Sequence, residues 1–261
     1  MKKTILITGA GSGFGKIASI GLAQQGHRVI ATAETGPQVQ ALRKEAEEAG
    51  IELTVQKLDL LNSIDREKAL EHDIDILLNI AGICEAGPLA EQPMSLVRHM
   101  FEVNVFCNLE LTQGFIRQMV EKKTGKILFM SSMSGLVGFP LAGAYCATKH
   151  ALEAIAEALK AELAPFGIKV ATINPGPCKT GFNESGVDSI YQWYDPQVNF
   201  TPEKSIKDLE AALAQQFDPK DILDIIVTLV ESDDHTFRNI WPAKLKAEVE
   251  KKQREAWEIT S

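Results

Sequence analysis

The chain has 261 residues, 45% of them hydrophobic and 24% charged, ordinary proportions for a globular protein. A single domain of that length buries roughly 70–75% of the surface its unfolded form exposes, so it needs no disulfide or metal staple. The formal net charge of −8 argues against a nucleic-acid partner, which calls for a basic face.

Lys2 and Lys3 precede an apolar run, Thr4–Thr8, too short for a signal peptide or a membrane span, so a cytoplasmic protein with no membrane association is expected. That run reads as the first strand. Arg28–Ala33, Leu53–Leu58, Ile74–Asn79, Lys126–Ser131 and Lys169–Ile173 read as further strands. They are nearly continuous apolar stretches, the pattern of parallel strands covered on both faces. Helices are expected between them at Phe14–Gln25, Gln38–Ala49, Ile64–Glu71, Met94–Glu121 and Tyr145–Ala164. Gly26, Gly50 and Gly167 fall where helices should stop. This alternation predicts an α/β fold, a doubly wound parallel sheet in three layers, as one domain over 1–261. Residues 1–176 form its regular part. Residues 177–202 read as an irregular, aromatic-bearing loop, followed by helices near Glu203–Gln216, Pro219–Ser232 and Ala243–Trp257.

Directly after the first strand comes a glycine-rich turn, Thr8–Gly15, containing Gly9, Ser12, Gly13, Phe14 and Gly15. Such a turn lets backbone N–H groups approach a pyrophosphate, which the N-terminus of the next helix also attracts. Between a strand and a helix, this points to dinucleotide binding. Glu34, just past the second strand, is placed to accept hydrogen bonds from ribose hydroxyls and to repel a 2′-phosphate. That favours NAD(H), with NADP(H) left open.

Tyr145 and Lys149, at i and i+4, share one face of the long fifth helix. A phenol, with a reference pKa near 10, is a poor base at neutral pH, and a neighbouring ammonium favours its ionised form. Ser132 lies at the end of the fifth strand, the end of an open α/β sheet where ligands bind. Its hydroxyl is placed to donate to a substrate carbonyl while Tyr145 supplies or removes a proton.

Over residues 3–182 the chain resembles the short-chain dehydrogenase/reductase family. The resemblance rests on an ordered set: Thr8–Gly15, Asp59-Leu60, Asn79-Ile80-Ala81-Gly82, Asn104, Ser132, Tyr145, Lys149, Asn174-Pro175-Gly176 and Thr180. It implies a Rossmann fold and reversible hydride transfer between a nicotinamide cofactor and a secondary alcohol or ketone. It also implies roles: Asp59 with Leu60 at the adenine, Asn79 pinning the central sheet beside the cofactor, with Ala81 and Gly82 also at the cofactor, and Pro175, Gly176 and Thr180 around the nicotinamide. Asn104 would hold a water in a proton relay with Lys149, which would bind the nicotinamide ribose and lower the pKa of Tyr145. Ile80 stands where the family more often has a second Asn, and Ala33 where an Asp or Arg often marks cofactor choice. The family's four-helix contacts imply a homodimer or homotetramer.

Phe139, Phe182, Tyr191, Trp193, Tyr194 and Phe200 suit either a bulky apolar substrate pocket or the anchoring of the loop or a subunit contact. Cys84, Cys107, Cys146 and Cys178 have neither CxxC nor metal spacing and read as reduced thiols. The five histidines form no HxxxH or HExxH pair, and no GxSxG is present, so neither a metal site nor a hydrolase triad is expected. Two other functions compete: a nucleotide-sugar epimerase or dehydratase, which needs more chain after Gly176, and a nucleotide-sensing regulator without turnover.

Overall fold

The computed structural model describes residues 1–259. Seven strands run in chain order: β1 Thr4–Ile7, β2 Arg28–Ala33, β3 Thr54–Lys57, β4 Ile76–Asn79, β5 Gly125–Met130, β6 Ile168–Pro175 and β7 Arg238–Trp241. All pair in parallel, in the order β3-β2-β1-β4-β5-β6-β7. The chain starts at the centre, winds out to β3, then returns to lay β4 beside β1. The reversal leaves a crevice at the carboxyl ends of β1 and β4, where such sheets bind ligands.

Side chains alternate across the strands, and the two faces build two cores. Ile5, Ile7, Val29 and Ala31 face α1 (Gly13–Gln24), α2 (Gly36–Glu48) and α9 (Ile222–Glu231). Leu6, Ile30, Leu77, Ile127 and Phe129 face α3 (Ser63–Ala69), α5 (Asn108–Lys122) and α6 (Gly143–Leu163). This is the expected doubly wound, three-layered Rossmann arrangement. None of the described helices is long and apolar enough to cross a membrane.

Three expectations need correction. The single helix Met94–Glu121 is instead α4 (Met94–Phe101), a π-helical segment over Glu102–Cys107, then α5. The wide turn frees carbonyls that Asn108 Nδ2 takes up, donating to Val103 O at 2.9 Å and Asn104 O at 3.3 Å. The irregular stretch 177–202 contains a helix, α7 (Phe182–Asp188). β7 was not expected at all: its pattern is too short to read alone, and it is a strand because it completes hydrogen bonds along β6. α8 (Glu203–Leu213) and α10 (Leu245–Ala256) fall within the expected helices.

At the opposite end of the strands from the crevice, Lys126 is buried with its ammonium against the C-terminal end of α9. It donates to Leu229 O at 2.6 Å and Ser232 O at 2.7 Å, satisfying carbonyls the helix leaves unpaired.

Candidate active site

A cavity of about 1060 Å³ opens along the carboxyl ends of the strands, lined from the glycine turn at one end to α8 and α10 at the other. At the turn, Thr8 Oγ1 accepts from the N–H groups of Ile80 (2.9 Å) and Ala81 (3.0 Å), stitching the loops after β1 and β4 together. The approach is so close that a Cβ on Gly9, which has φ +71°, would lie 2.8 Å from Ala81 Cα. A Cβ on Gly15 would lie 2.2 Å from Gly9 O, so that glycine serves helix packing and does not line the cavity. Ser12, Gly13 and Phe14 do line it. Ser12 stands at the N-cap of α1 without capping it, and the first turn carries no acidic residue. The helix therefore presents unsatisfied N–H groups and a positive dipole end to the cavity, a fit for a dinucleotide pyrophosphate.

Beyond the turn, Glu34, Asp59 and Leu60 line the same end. Asp59 accepts from Leu61 N–H at 2.9 Å, which fixes its carboxylate. Lys149 is the one lysine or arginine among the described residues lining the cavity, whereas Glu34, Asp59, Glu85 and Glu248 all contribute carboxylates.

At the centre, α6 carries Tyr145 and Lys149 on one face, with Lys149 Nζ 5.7 Å from the Tyr145 ring centroid. Lys149 is buried and donates to Met130 O, the last residue of β5, at 2.9 Å. Burial pushes its pKa down to about 8, opposed by Cys84 and Glu153. Burial likewise pushes the Tyr145 phenol well above its usual value, and hydrogen bonding with Ser132 works to lower it. The Ser132 hydroxyl itself accepts from Ser134 N–H at 3.1 Å and donates to Pro175 O at 3.4 Å. Pro175, Gly176 and Thr180 close this side. Gly176 is held by its N–H to Trp241 O (2.8 Å), and Thr180 packs against Gly13.

Asn104 lies in the π-helical segment, and its side chain is fully engaged. Oδ1 accepts from Ile83 N–H at 2.8 Å, while Nδ2 donates to Ile83 O at 2.8 Å and Thr148 Oγ1 at 3.1 Å. Asn104 Oδ1 and Lys149 Nζ both crowd Gly82, which lines the cavity with Ala81. Asn79 is buried beneath it, donating to Thr112 Oγ1 at 3.0 Å, and touches the sheet and α5 rather than the cavity.

The aromatic candidates divide. Phe139 and Phe182 line the cavity, with the Phe182 ring 5.8 Å from that of Tyr145. Trp193 and Tyr194 pack instead against a small core of Ala86, Val187, Ile190 and Ile206, and Tyr191 is exposed with its hydroxyl on Glu210. Phe200 is exposed. Their spacing allowed no choice between pocket and anchor, and the fold uses these four outside the cavity. Conversely, Cys84, Leu209, Leu213, Phe217 and Leu245 line it without having been anticipated. The amphipathic pattern of α8 and α10 signals burial but not what it is buried against.

Residues 3–189 match the short chain dehydrogenase family. The chain belongs to that family. It is 32% identical over 244 residues to an uncharacterized oxidoreductase, YusZ, of Bacillus subtilis, covering 87% of this chain and 84% of the relative. It is 36% identical over 187 residues to a 3-ketodihydrosphingosine reductase of Bacteroides thetaiotaomicron, covering 69% and 66%. The structure of an actinorhodin polyketide ketoreductase variant with NADPH superposes with a TM-score of 0.77 at 25% identity, covering 92% of this chain and 95% of that one. This short-chain dehydrogenase is thus an oxidoreductase with the fold of NAD(P)-binding enzymes.

Proposed function

We propose that this short-chain dehydrogenase interconverts a secondary alcohol and a ketone using NAD(H), on a bulky, largely apolar substrate. The observation that carries the reading is the convergence of Ser132, Tyr145 and Lys149 on one wall of a cavity whose far end is the glycine turn. When bound, the nicotinamide supplies or accepts the hydride. Gly9, Ser12, Gly13 and Phe14 would hold the pyrophosphate, Glu34 and Asp59 the adenosine, and Pro175, Gly176 and Thr180 the nicotinamide.

The residues then divide the remaining work. Ser132 orients and polarises the substrate oxygen. Tyr145 gives it a proton in reduction and removes one in oxidation. Lys149 favours the phenolate that forms in reduction, passes a proton on to it to restore the phenol, and takes its own replacement proton from water. Since the Asn104 amide is committed to Ile83, its main-chain oxygen, which accepts from Asn108 Nδ2 only at 3.3 Å and keeps a second lone pair, is the atom that would hold this water.

The preference for NAD(H) is supported by charge: Glu34 and Asp59 line the end that would take a 2′-phosphate, no lysine or arginine among the described residues lines that end, and the nearby Lys57 is paired with Asp65. A ketone substrate is supported by the named substrate of the Bacteroides relative, and its apolar bulk by Phe139, Phe182, Leu209 and Leu213. We also expect a homodimer or homotetramer, with the exposed Met94 and Phe106 at the contact, so light scattering should give more than the monomer mass.

The test is nicotinamide absorbance with NAD and NADP against a panel of alcohols, and with their reduced forms against ketones. Turnover that disappears in Tyr145→Phe is expected. Cofactor binding without turnover on a broad panel would favour the nucleotide-sensing alternative.

A further inference from the structure

We propose that Glu153 is a positioning residue of this active site: its carboxylate, acting through Asn174, sets the main chain that presents Ser132. The proposal rests on the hydride-transfer reading above. Glu153 lies on α6 one turn beyond Lys149 and is only 4% exposed. Its Oε1 accepts from Asn174 Nδ2 at 2.6 Å, and the same Nδ2 donates to the carbonyl of Ser132 at 3.3 Å. Its Oε2 accepts from Arg238 Nε on β7 at 2.9 Å. Asn174, fully buried on β6, has its Oδ1 occupied by Thr172 Oγ1 at 3.0 Å. One carboxylate thus joins α6, β6, β7 and the residue that polarises the substrate.

Little slack remains in this joint. A Cβ on Gly135, in the turn that follows Ser132, would lie 3.0 Å from Lys149 O and 3.1 Å from Glu153 Cγ. The helix carrying Tyr145 and Lys149 therefore sits directly on the turn carrying Ser132. Burying a carboxylate carries a desolvation cost that its partners must offset, and an apolar residue of similar volume is often as stabilising. What an apolar residue lacks is the directed acceptor that holds Asn174, and through it Ser132, against α6.

Glu153 also acts on Lys149 by charge. The titratable groups about Lys149 are Cys84, on the loop after β4, and Tyr145 and Glu153 on its own helix. β5 and the π-helical segment offer it only the Met130 carbonyl and the uncharged Asn104. Of these groups Glu153 is the one carboxylate, and it favours the ammonium form.

The experiment compares full-length wild type, Glu153→Gln, Asn174→Ala and the double variant, using a substrate found active on wild type. For Glu153→Gln, whose single amide oxygen cannot accept from both Asn174 and Arg238, kcat should fall about 10–100-fold, the loss expected when a reacting group is misplaced by an ångström or less. NADH affinity by fluorescence titration should hold within about twofold, and the alkaline limb of the rate should move to lower pH. Asn174→Ala should lose kcat similarly with its alkaline limb unmoved, because the carboxylate remains. The double variant should be no worse than the poorer single one, since both break one chain of contacts. A folded Glu153→Gln with kcat within about twofold of wild type overturns the proposal, as do fully additive losses. If Glu153→Gln does not fold, Asn174→Ala decides by the same kcat criterion. Absence of any wild-type turnover counts against hydride transfer and not against Glu153. Crystal structures then decide: a Ser132 hydroxyl displaced by more than about 0.5 Å in the variants sustains the positioning role, and an unmoved one overturns it.

Discussion

Burial raises the phenol of Tyr145 and lowers the ammonium of Lys149 to about 8, so each is held neutral more readily than in water. A neutral phenol is the form that ketone reduction needs, and the Lys149 charge favours the phenolate left behind. That charge is present below pH about 8 and lost above it, so the rate of ketone reduction should fall as pH rises through about 8. A pH–rate profile flat to pH 10 would exclude Lys149 from this role. The same shift affects stability. Between about 8 and 10.5 the unfolded chain binds more protons at this residue than the folded one, so its contribution raises stability as pH increases across that window. Urea midpoints across the window should rise more steeply for wild type than for Lys149→Met. The Tyr145–Lys149 pair was legible in the sequence because an i, i+4 spacing on a helix brings two side chains together without tertiary information. Glu153 shares that helix, but its partners Asn174 and Arg238 reach it only once β6 and β7 have paired, and nothing local announces them.

Among the elements, the π-helical segment between α4 and α5 sets where Asn104 points. The sequence hides it for a physical reason: Met100, Val103, Cys107 and Leu111 keep helical spacing across the segment, so the apolar pattern of one long helix is preserved. What marks it is polar and three-dimensional, Asn104 clasping Ile83 and Asn108 taking the freed carbonyls. Asn104→Ala should leave the Ile83 N–H and C=O without partners, costing about 2–3 kcal/mol in urea unfolding and most of the turnover. Lys126 makes the contrasting case, an element anchored far from the chemistry. Lys126→Met removes the donor that α9 uses at its C-terminal end and should cost about 2–3 kcal/mol. Because that end of the sheet faces away from the cavity, kcat and KM should stay within about twofold of wild type while the variant remains folded. A large loss of kcat without loss of stability would contradict this separation.

At the scale of the whole molecule, the chain after β6 folds back over the crevice that the first six strands create. The sheet and the turns of its nucleotide end were legible because each strand–turn–helix unit carries its own signals. The covering part was not, since its contacts are made with loops far away in sequence. Ala86 N–H donates to Gly186 O at 3.0 Å, and Trp193 packs on Gly87. Further along, the Glu91 carboxylate accepts from Phe200 N–H (2.7 Å), Thr201 N–H (3.0 Å) and Asn199 Nδ2 (3.1 Å). Glu91 thereby clasps the far end of the segment beyond α7 to the loop before α4, while leaving the catalytic groups untouched. Desolvation works to raise its pKa, but the hydrogen bonds from Thr201, Asn199 and Phe200 outweigh it and hold the carboxyl below its ordinary value. A depressed carboxylate contributes its stabilisation above its unfolded pKa and loses it as pH falls through the folded one, so the clasp should hold at neutral pH and weaken in acid. Glu91→Ala should therefore raise KM for the substrate about tenfold, change kcat less, and leave NADH affinity unaltered. The variant should also be cleaved within residues 189–201 by a protease that spares wild type. Wild-type KM should climb as pH falls toward the carboxylate range, and the variant's should not. A wild-type KM independent of pH there, or a variant KM equal to wild type, would mean that the clasp holds the segment without governing entry to the cavity.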